Sequence, residues 1–343
     1  MLYLESPVNV GFSYNSSHLA EVDMYNDEAA TDAKYNALVS FFKKFPHLKK
    51  NKFYMTGESY GGVYLPLLTR KILDNKQENG INLQGIAIGN GVYDIDILSQ
   101  SRIEFSYFHG LIGIDRWDQL QATCCHLDAR NVTIQCDYPS IYSNYSVGVR
   151  NGNTKCSELL GLTLIEMRAT GFNIYYVYDT CNTTDTRANV THECVGSQFT
   201  EYLNQDQVKT ALHVAEGVRA RRWESSNEHI LMTYQQQYTS MDTVFRDIIE
   251  KHRFTNVILY SGDADIVCDF LSTQRFLAHH MRYRLKEASR IWKLNGALAG
   301  VASRYDNGLR FFTVHGAGHM VPTQKPEQSI AILKDLLGVE RIA

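Results

Sequence analysis

A serine between two glycines, placed between an apolar run and a helical pattern, constrains this chain more than any other feature. The run that starts at Phe53 breaks at Gly57, Ser59 follows, and helical periodicity extends from Val63 to Leu73. The flanking glycines leave room for a strained strand-to-helix turn that lifts the hydroxyl above a parallel sheet. The bare three-position pattern occurs by chance in roughly one chain in ten of this length. The strand before it and the helix after it are therefore what predict a nucleophilic serine.

Two later segments carry candidates for the acid and the base. In folds with this turn the order along the chain is serine, acid, histidine, and each partner lies on a loop after a later strand. The apolar run 256–260 ends in a turn that contains Asp263 and Asp265. A second run, 309–314, ends in a glycine-rich loop that contains His315 and His319. Order and placement both fit a catalytic triad.

Asp265 and His319 are the favoured members of these two pairs. An aspartate in a turn, such as Asp263, more often accepts hydrogen bonds from backbone amides. Asp265 lies deeper in its loop and is better placed to orient an imidazole. His319 follows a glycine and precedes a proline by three residues, a setting that would aim its side chain, and we favour it over His315.

These residues predict covalent acyl chemistry. A serine hydroxyl is a poor nucleophile at its ordinary pKa, so His319 is expected to take the proton of Ser59 and return it to the leaving amine. Asp265 would fix the imidazole tautomer and stabilise the imidazolium. The backbone N–H of Tyr60 would donate to the developing oxyanion. Such a mechanism uses no metal and no cofactor, and we expect neither.

Five blocks, in order from one end of the chain to the other, carry a family resemblance. They are Leu2–Pro7 with Val10–Tyr14, Gly57–Gly62, Ile88–Gly91, Tyr260–Asp265 followed by Cys268, and Gly316–Pro322. In these blocks the chain resembles the serine carboxypeptidases, the group of lysosomal cathepsin A and yeast carboxypeptidase Y. The glutamate of the elbow and the Gly-His-Met-Val-Pro block are the features most specific to that group.

The resemblance implies an α/β-hydrolase fold with a mostly parallel central sheet, flanking helices and an inserted cap stapled by disulfides. The implied activity is release of C-terminal amino acids from peptides, through an acyl-enzyme and in mild acid. The implied site is the triad Ser59, Asp265 and His319, with Tyr60 at the oxyanion and a substrate pocket that includes Glu58, Cys268 and Met320.

Glu58 has a physical rationale of its own. A carboxyl beside a buried nucleophile loses hydration, which raises its pKa and keeps it protonated in mild acid. A protonated carboxyl can donate a hydrogen bond to the free carboxylate of a peptide, whereas an ionised one would repel it. Without the resemblance, Glu58 would be only an acidic residue near a helix N-terminus, where the dipole favours it.

The chain departs from the family pattern at its start. The family has an Asn-Gly-Gly-Pro-Gly-Cys-Ser-Ser segment that supplies a second oxyanion donor, and nothing in this sequence matches it. We therefore expect an N-terminally incomplete chain. Two alternatives to the peptidase stay open: a non-catalytic lysosomal binding or protective protein, and an acyltransferase of the same family.

Composition and modification signals indicate the compartment and the partners. The net charge of −3 gives no sign of a nucleic-acid or membrane-surface partner, so we expect peptide substrates, with a homodimer left open. No secretory signal opens the chain, yet a cluster of N-glycosylation sequons predicts a lysosomal or secreted glycoprotein. The acceptor asparagines are Asn15, Asn131, Asn144, Asn182 and Asn189.

Six of the 7 cysteines lie between Cys124 and Cys194, and Cys268 stands apart. Six cysteines allow fifteen pairings, and sequence cannot choose among them. The family resemblance implies the pairs Cys124–Cys156, Cys125–Cys136 and Cys181–Cys194, which would staple a region with little core of its own.

The order of elements predicts a core interrupted by an insertion. Residues 1–94 and 196–343 form the expected hydrolase core, and 95–195 form the expected cap. Within the core we expect the following elements: a strand at Leu2–Leu4, helices at about 24–44, 198–214, 230–252 and 326–337, and a hairpin at 291–305.

Overall fold

A mostly parallel six-stranded sheet organises the chain. The structure is a computed structural model that describes residues 1–15, 25–127, 134–136, 138, 154–169, 171–179 and 197–342. The order across the sheet is β1-β2-β5-β8-β7-β6, and β3 and β4 form a separate two-stranded sheet. The strands are β1 (Phe53–Ser59), β2 (Leu83–Gly91), β3 (Cys125–Leu127), β4 (Ile134–Cys136), β5 (Val257–Gly262), β6 (Arg290–Leu294), β7 (Ala297–Arg304) and β8 (Arg310–Val314).

Helices connect the strands and cover both faces of the sheet. A 3₁₀ turn at Pro46–Lys50 and two π-helical segments, Asp247–Lys251 and Phe276–Met281, accompany the α-helices. The α-helices are α1 (Asp27–Lys44), α2 (Gly61–Asp74), α3 (Lys76–Asn79), α4 (Ile95–Phe108), α5 (Ile114–Cys124), α6 (Thr154–Ala169), α7 (Ser197–Leu203), α8 (Asp206–Ala211), α9 (Glu216–Arg219), α10 (Glu228–Thr233), α11 (Asp242–Arg246), α12 (Phe270–Arg275), α13 (Val321–Gln324) and α14 (Pro326–Leu337).

The parallel pairing sets the edge at which a site can form. Strands β1, β2, β5 and β8 pair in parallel, whereas β7 and β6 continue the sheet in antiparallel pairs. Every residue of β5 is buried, which is typical of a central parallel strand covered on both faces. The carboxyl ends of parallel strands share one edge, so the loops after β1, β2, β5 and β8 converge. This architecture confirms the α/β-hydrolase fold predicted from the sequence.

Residues within the predicted insertion, 95–195, contribute most of a buried hydrophobic cluster, whereas the sequence predicted a region with little core of its own. Buried side chains from α4, α5 and α6 pack together, and Ala264 and Ile266 of the loop after β5 belong to the same cluster. The structure contains the disulfides Cys124–Cys156 and Cys125–Cys136. Both cysteines of the third expected pair, and all the sequon asparagines except Asn15, lie outside the described residues.

Three expected elements are wrong. Residues 2–4 form no strand, and the Tyr3 side chain is exposed. The helix expected over 198–214 is two short helices, α7 and α8, since the Asn204 side chain bonds the Thr200 and Trp223 carbonyls at the break. The helix expected over 230–252 is interrupted between α10 and α11 for a similar reason.

The interruption between α10 and α11 comes from hydrogen bonds to distant parts of the chain. The Gln235 N–H donates to the Tyr25 carbonyl, and the Gln237 N–H donates to the Asp27 carboxylate. The Met241 N–H donates to the Tyr93 carbonyl. These partners replace the helical bonds that the local sequence would otherwise make. Among the described helices, none is long and apolar enough to cross a bilayer.

Candidate active site

Ser59 ends β1 in a strained backbone conformation. Its φ is +62°, a region that a residue other than glycine adopts only when the surrounding structure holds it there. The Ser59 carbonyl accepts a hydrogen bond from the Val92 N–H at 3.0 Å, which fixes the turn onto the end of β2. A Cβ atom on Gly62 would lie 2.4 Å from the Val92 carbonyl oxygen, whereas one on Gly61 would meet nothing nearer than 3.9 Å. The close approach of α2 to the sheet therefore depends on Gly62.

Asp265 and His319 form a buried pair at the same edge of the sheet. His319 Nδ1 lies 2.7 Å from Asp265 Oδ2. Asp265 is fully buried and His319 is 5% exposed. Asp265 follows β5 and His319 follows β8, which are neighbouring parallel strands, so their loops meet at the carboxyl edge of the sheet. Ser59 ends β1 at the same edge, with β2 between β1 and β5. The structure therefore brings the favoured acid and the favoured base into contact.

Further hydrogen bonds hold the Asp265 carboxylate. The Val267 N–H donates to Oδ1 at 2.8 Å, and the Cys268 N–H donates to Oδ2 at 3.1 Å. Asn90 Nδ2 donates to Oδ2 at 2.8 Å. The carboxylate is thus oriented from its own loop and from β2, and Oδ2 stays directed at His319.

Glu58 and His319 influence each other's protonation. Burial raises the pKa of Glu58, and the charge of Asp265 adds to this, although a positive His319 opposes it. Burial by itself lowers the pKa of His319, but the charge of Asp265, its hydrogen bond and the charge of Glu58 outweigh burial, so the pKa is raised. The charge of each group therefore shifts the pKa of the other, that of Glu58 downward and that of His319 upward.

The amino-acid sequence is similar to a family profile and to known proteins. The profile described as serine carboxypeptidase matches residues 1–338. The chain belongs to the serine carboxypeptidase family. Lysosomal protective protein of Mus musculus is 30% identical over 381 residues, covering 99% of this chain and 75% of that protein. Serine carboxypeptidase-like 33 of Arabidopsis thaliana is 28% identical over 365 residues, covering 100% of this chain and 72% of that protein.

A solved structure supports the fold of this serine carboxypeptidase family member. It is Kex1(delta)p, a prohormone-processing carboxypeptidase from Saccharomyces cerevisiae, with a TM-score of 0.74 and 19% sequence identity. The match covers 97% of this chain and 73% of that chain. At this identity the likeness shows the shared fold.

Cys268 links the acid loop to the nucleophile. It is the free cysteine of the described residues and is buried. Burial and the charge of Asp265 raise its pKa well above that of an ordinary thiol, and a side-chain hydrogen bond connects it with Ser59. A neutral thiol therefore lies beside the serine. Met320, by contrast, is half-buried next to His319 in the chain.

Tyr60 is held by its backbone, at the start of α2, and by its side-chain hydroxyl. It is the N-cap residue of α2, directly after Ser59. Its hydroxyl donates to the Asp27 carboxylate at 2.8 Å, and its ring meets that of Tyr234 edge-on. Asp27 is fully buried at the start of α1. The residue whose N–H is the expected oxyanion donor is thus tethered to a second helix.

The second aspartate–histidine pair lies at the surface. His315 Nδ1 is 2.7 Å from Asp263 Oδ2, and the Gly316 N–H donates to Asp263 Oδ1 at 2.7 Å. The His315 side chain is 59% exposed, against 6% for His319. Asp263 therefore makes the backbone contact expected of a turn aspartate. Among the described residues, no group of three or more potential ligands is arranged to hold a metal ion.

Residues of the predicted insertion contact the two loops of the candidate site, which the sequence did not indicate. The Tyr175 carbonyl accepts from the His319 N–H at 2.7 Å, and the Ile174 carbonyl accepts from the Ile266 N–H at 3.1 Å. The Arg102 guanidinium of α4 donates to the Ile266 and Val267 carbonyls at 3.2 and 2.5 Å. The loops that carry Asp265 and His319 are therefore held by Arg102, Ile174 and Tyr175 as well as by the sheet.

Proposed function

We propose that the protein is a serine carboxypeptidase that releases C-terminal amino acids from peptides in mild acid. The observation that carries this proposal is the buried Asp265–His319 pair, which follows β5 and β8 at the edge of the sheet where β1 ends in the strained turn of Ser59. Membership of the serine carboxypeptidase family gives the substrate class. In this mechanism Ser59 is the nucleophile and His319 is the general base. The carboxylate of Asp265 orients the imidazole of His319.

The reaction proceeds in two acyl-transfer steps. His319 takes the Ser59 proton as the hydroxyl oxygen attacks the last peptide carbonyl, and the Tyr60 N–H donates to the oxyanion. The protonated imidazole then gives this proton to the leaving amine, so the C-terminal amino acid departs and an ester remains on Ser59. Water then attacks the ester as His319 takes its proton, and His319 returns that proton to the Ser59 oxygen as the ester bond breaks and the shortened peptide leaves. Asp265 keeps the Nδ1 proton in place through both steps.

Glu58 supplies the preference for a free C-terminus. Its raised pKa keeps the carboxyl protonated to higher pH than an ordinary glutamate, so it can donate to the substrate carboxylate. The productive form has a protonated Glu58 and a neutral His319, whereas transfer of that one proton to His319 gives an unproductive form. A bound substrate carboxylate favours the productive form, since it repels an ionised Glu58. Activity therefore falls when the pair gains or loses a proton, which gives a bell-shaped pH profile.

The division into core and cap and the compartment belong to the same proposal. Residues 95–195 form the cap over a core made of 1–94 and 196–343, a division supported by the hydrophobic cluster that gathers side chains of α4, α5 and α6. Disulfides persist in oxidising compartments, and two are present here. With the glycosylation sequons, they support a lysosomal or secreted location.

Hydrolysis of N-blocked dipeptides tests the function. The full chain should release the free C-terminal amino acid from the acid substrate at pH 4–6, and much less from the matching C-terminal amide. The S59A variant should release neither product. A folded wild-type chain that leaves both dipeptides intact would refute the proposal. Acylation of an added alcohol by an ester donor, in place of hydrolysis, would assign the acyltransferase alternative.

A further inference from the structure

We propose that Asn90 is a positioning residue for the catalytic carboxylate, because its amide fixes Asp265 relative to the strand pair that carries Ser59. The inference rests on the proposed function of Ser59, Asp265 and His319. Asn90 lies in the Ile88–Gly91 block, which contributes to the family resemblance but has no predicted role in the site.

The two hydrogen bonds of the Asn90 side chain define its orientation. Its Oδ1 accepts from the Gly262 N–H at 3.1 Å, and its Nδ2 donates to Asp265 Oδ2 at 2.8 Å. The backbone N–H of Gly262 can only donate, so the side-chain oxygen of Asn90 must face Gly262. The NH₂ group of Asn90 then faces the Asp265 carboxylate. Asn90 is fully buried, and both of these bonds are shielded from water.

The backbone at Asn90 suits this side chain. Its φ is +42°, in the left-handed region where asparagine and aspartate are enriched among residues other than glycine. A Cβ-branched or bulky residue would be strained there. The local conformation turns the amide from the end of β2 toward the loop after β5.

Asn90 connects Asp265 with β2, the strand that pairs with the end of β1 where Ser59 lies. Ser59 pairs with Gly91 in the β1–β2 ladder, and the Ser59 carbonyl accepts from the Val92 N–H. The backbone donors to Asp265 come from its own loop, at Val267 and Cys268, and move with it. Asn90 instead belongs to the strand beside Ser59. Its side chain therefore sets how far the acid, and with it His319, lies from the serine.

Several titratable groups face the bond between Asn90 and Asp265. They come from the ends of β1 and β8, from the loop after β5 and from α4, and all of them interact electrostatically with Asp265 or with His319. They are Glu58, His319, Cys268, Asp269 and Arg102.

The N90D and N90G variants separate positioning from a purely structural role. In N90D, a protonated carboxyl can donate to Asp265 as the amide does, but an ionised one has no proton to donate and repels Asp265. The kcat of N90D relative to wild type should therefore be near one in acid and fall at least tenfold as the introduced carboxyl ionises. N90G accepts the backbone conformation but removes the donor. Its kcat should fall by roughly 10–100-fold at every pH, with KM within about threefold, the size of effect expected from misplacing catalytic groups.

The pH profiles decide between the two roles. A constant N90D to wild-type ratio across pH 4–8 would contradict the inference, as would a kcat of N90G within twofold of wild type. The thermal unfolding curve of each variant gives its folded fraction at the assay temperature, and kcat is divided by that fraction.

An NMR measurement keeps this inference separable from the proposed function. The Nδ1 proton of His319, bonded to Asp265, should give a low-field resonance in the folded wild-type chain, whether or not the chain turns over substrate. N90G should shift it, and N90D should shift it only at the higher pH. An unmoved resonance in both variants would overturn the role of Asn90. Failure of Ser59 to react with a phosphonate would overturn only the proposed function.

Discussion

Substitution of the buried carboxyl Asp269 by asparagine should stabilise the protein in a pH-dependent manner. Asp269 is the N-cap of α12 and is fully buried, with Oδ1 accepting from the Ser272 N–H and Oδ2 from the Ser101 hydroxyl. Burial raises its pKa from 3.8 to about 7, although both hydrogen bonds and the charge of Arg102 oppose this. Ionised Asp269 is therefore a cost to the folded state.

The sign and size follow from proton linkage. Because the folded state binds this proton more tightly than the unfolded state, stability is highest below the unfolded pKa and falls as pH rises toward the folded pKa. A shift from 3.8 to about 7 corresponds to roughly 4 kcal/mol once both states are ionised. D269N is neutral at every pH, so it should exceed wild type in free energy of unfolding by about 2 kcal/mol at pH 5 and about 4 kcal/mol at pH 8.

The asparagine can keep every hydrogen bond at this position. Its oxygen can accept from the Ser272 N–H, and asparagine caps helices about as well as aspartate. Its NH₂ group can donate to the Ser101 oxygen, whose own proton has the Leu98 carbonyl within 3.3 Å. The expected difference is therefore that of the charge alone.

Urea denaturation at pH 5 and pH 8, with the disulfides intact, measures this difference. D115N serves as the control, since Asp115 also lies in the first turn of a helix but is exposed, and its substitution should change stability by less than about 0.5 kcal/mol. Equal stability of D269N and wild type at both pH values would refute the reasoning.

Three further outcomes are expected. E58Q donates a hydrogen bond at every pH, so kcat/KM for substrates with a free carboxylate should lose its decline at higher pH, which a pH series would show; an unchanged alkaline decline would contradict the role of Glu58. G62A should lower both thermal stability and kcat because its Cβ meets the Val92 backbone at 2.4 Å, whereas G61A should leave both nearly unchanged. D265N removes the charge that raises the pKa of His319, so the acid limb of kcat should move to lower pH. Its kcat should also fall by roughly 10⁴-fold, because asparagine no longer holds the imidazole in the tautomer that accepts the serine proton.

The sequence predicted the elements whose signals are local. The Gly-x-Ser-x-Gly turn marks the end of β1, and the apolar runs near 256 and 309 mark β5 and β8. The final helix was expected over 326–337, and α14 spans Pro326–Leu337. Because the strands are parallel, the order of these segments was enough to place their loops at one edge of the sheet.

The remaining features depend on contacts between distant residues. Residues 234–241 contain no glycine or proline that would mark a break in a helix, but Tyr25, Asp27 and Tyr93 provide competing hydrogen-bond partners far away in the chain. The role of Asn90 depends on a partner 175 residues away. Its only local signal is a polar side chain in an apolar strand, next to two glycines. Such a residue at a strand end is worth testing as a site residue.

Phosphonylation of Ser59 tests the nucleophile most directly. Incubation of the folded chain with a fluorophosphonate, followed by mass spectrometry, should show one phosphonyl group per chain on the peptide that contains Ser59. S59A should stay unlabelled, and H319Q should react at least roughly 10³-fold more slowly, since the residues of a triad act as a unit. A folded chain without an adduct on Ser59, or one whose labelling rate is the same in H319Q, would contradict the catalytic assignment.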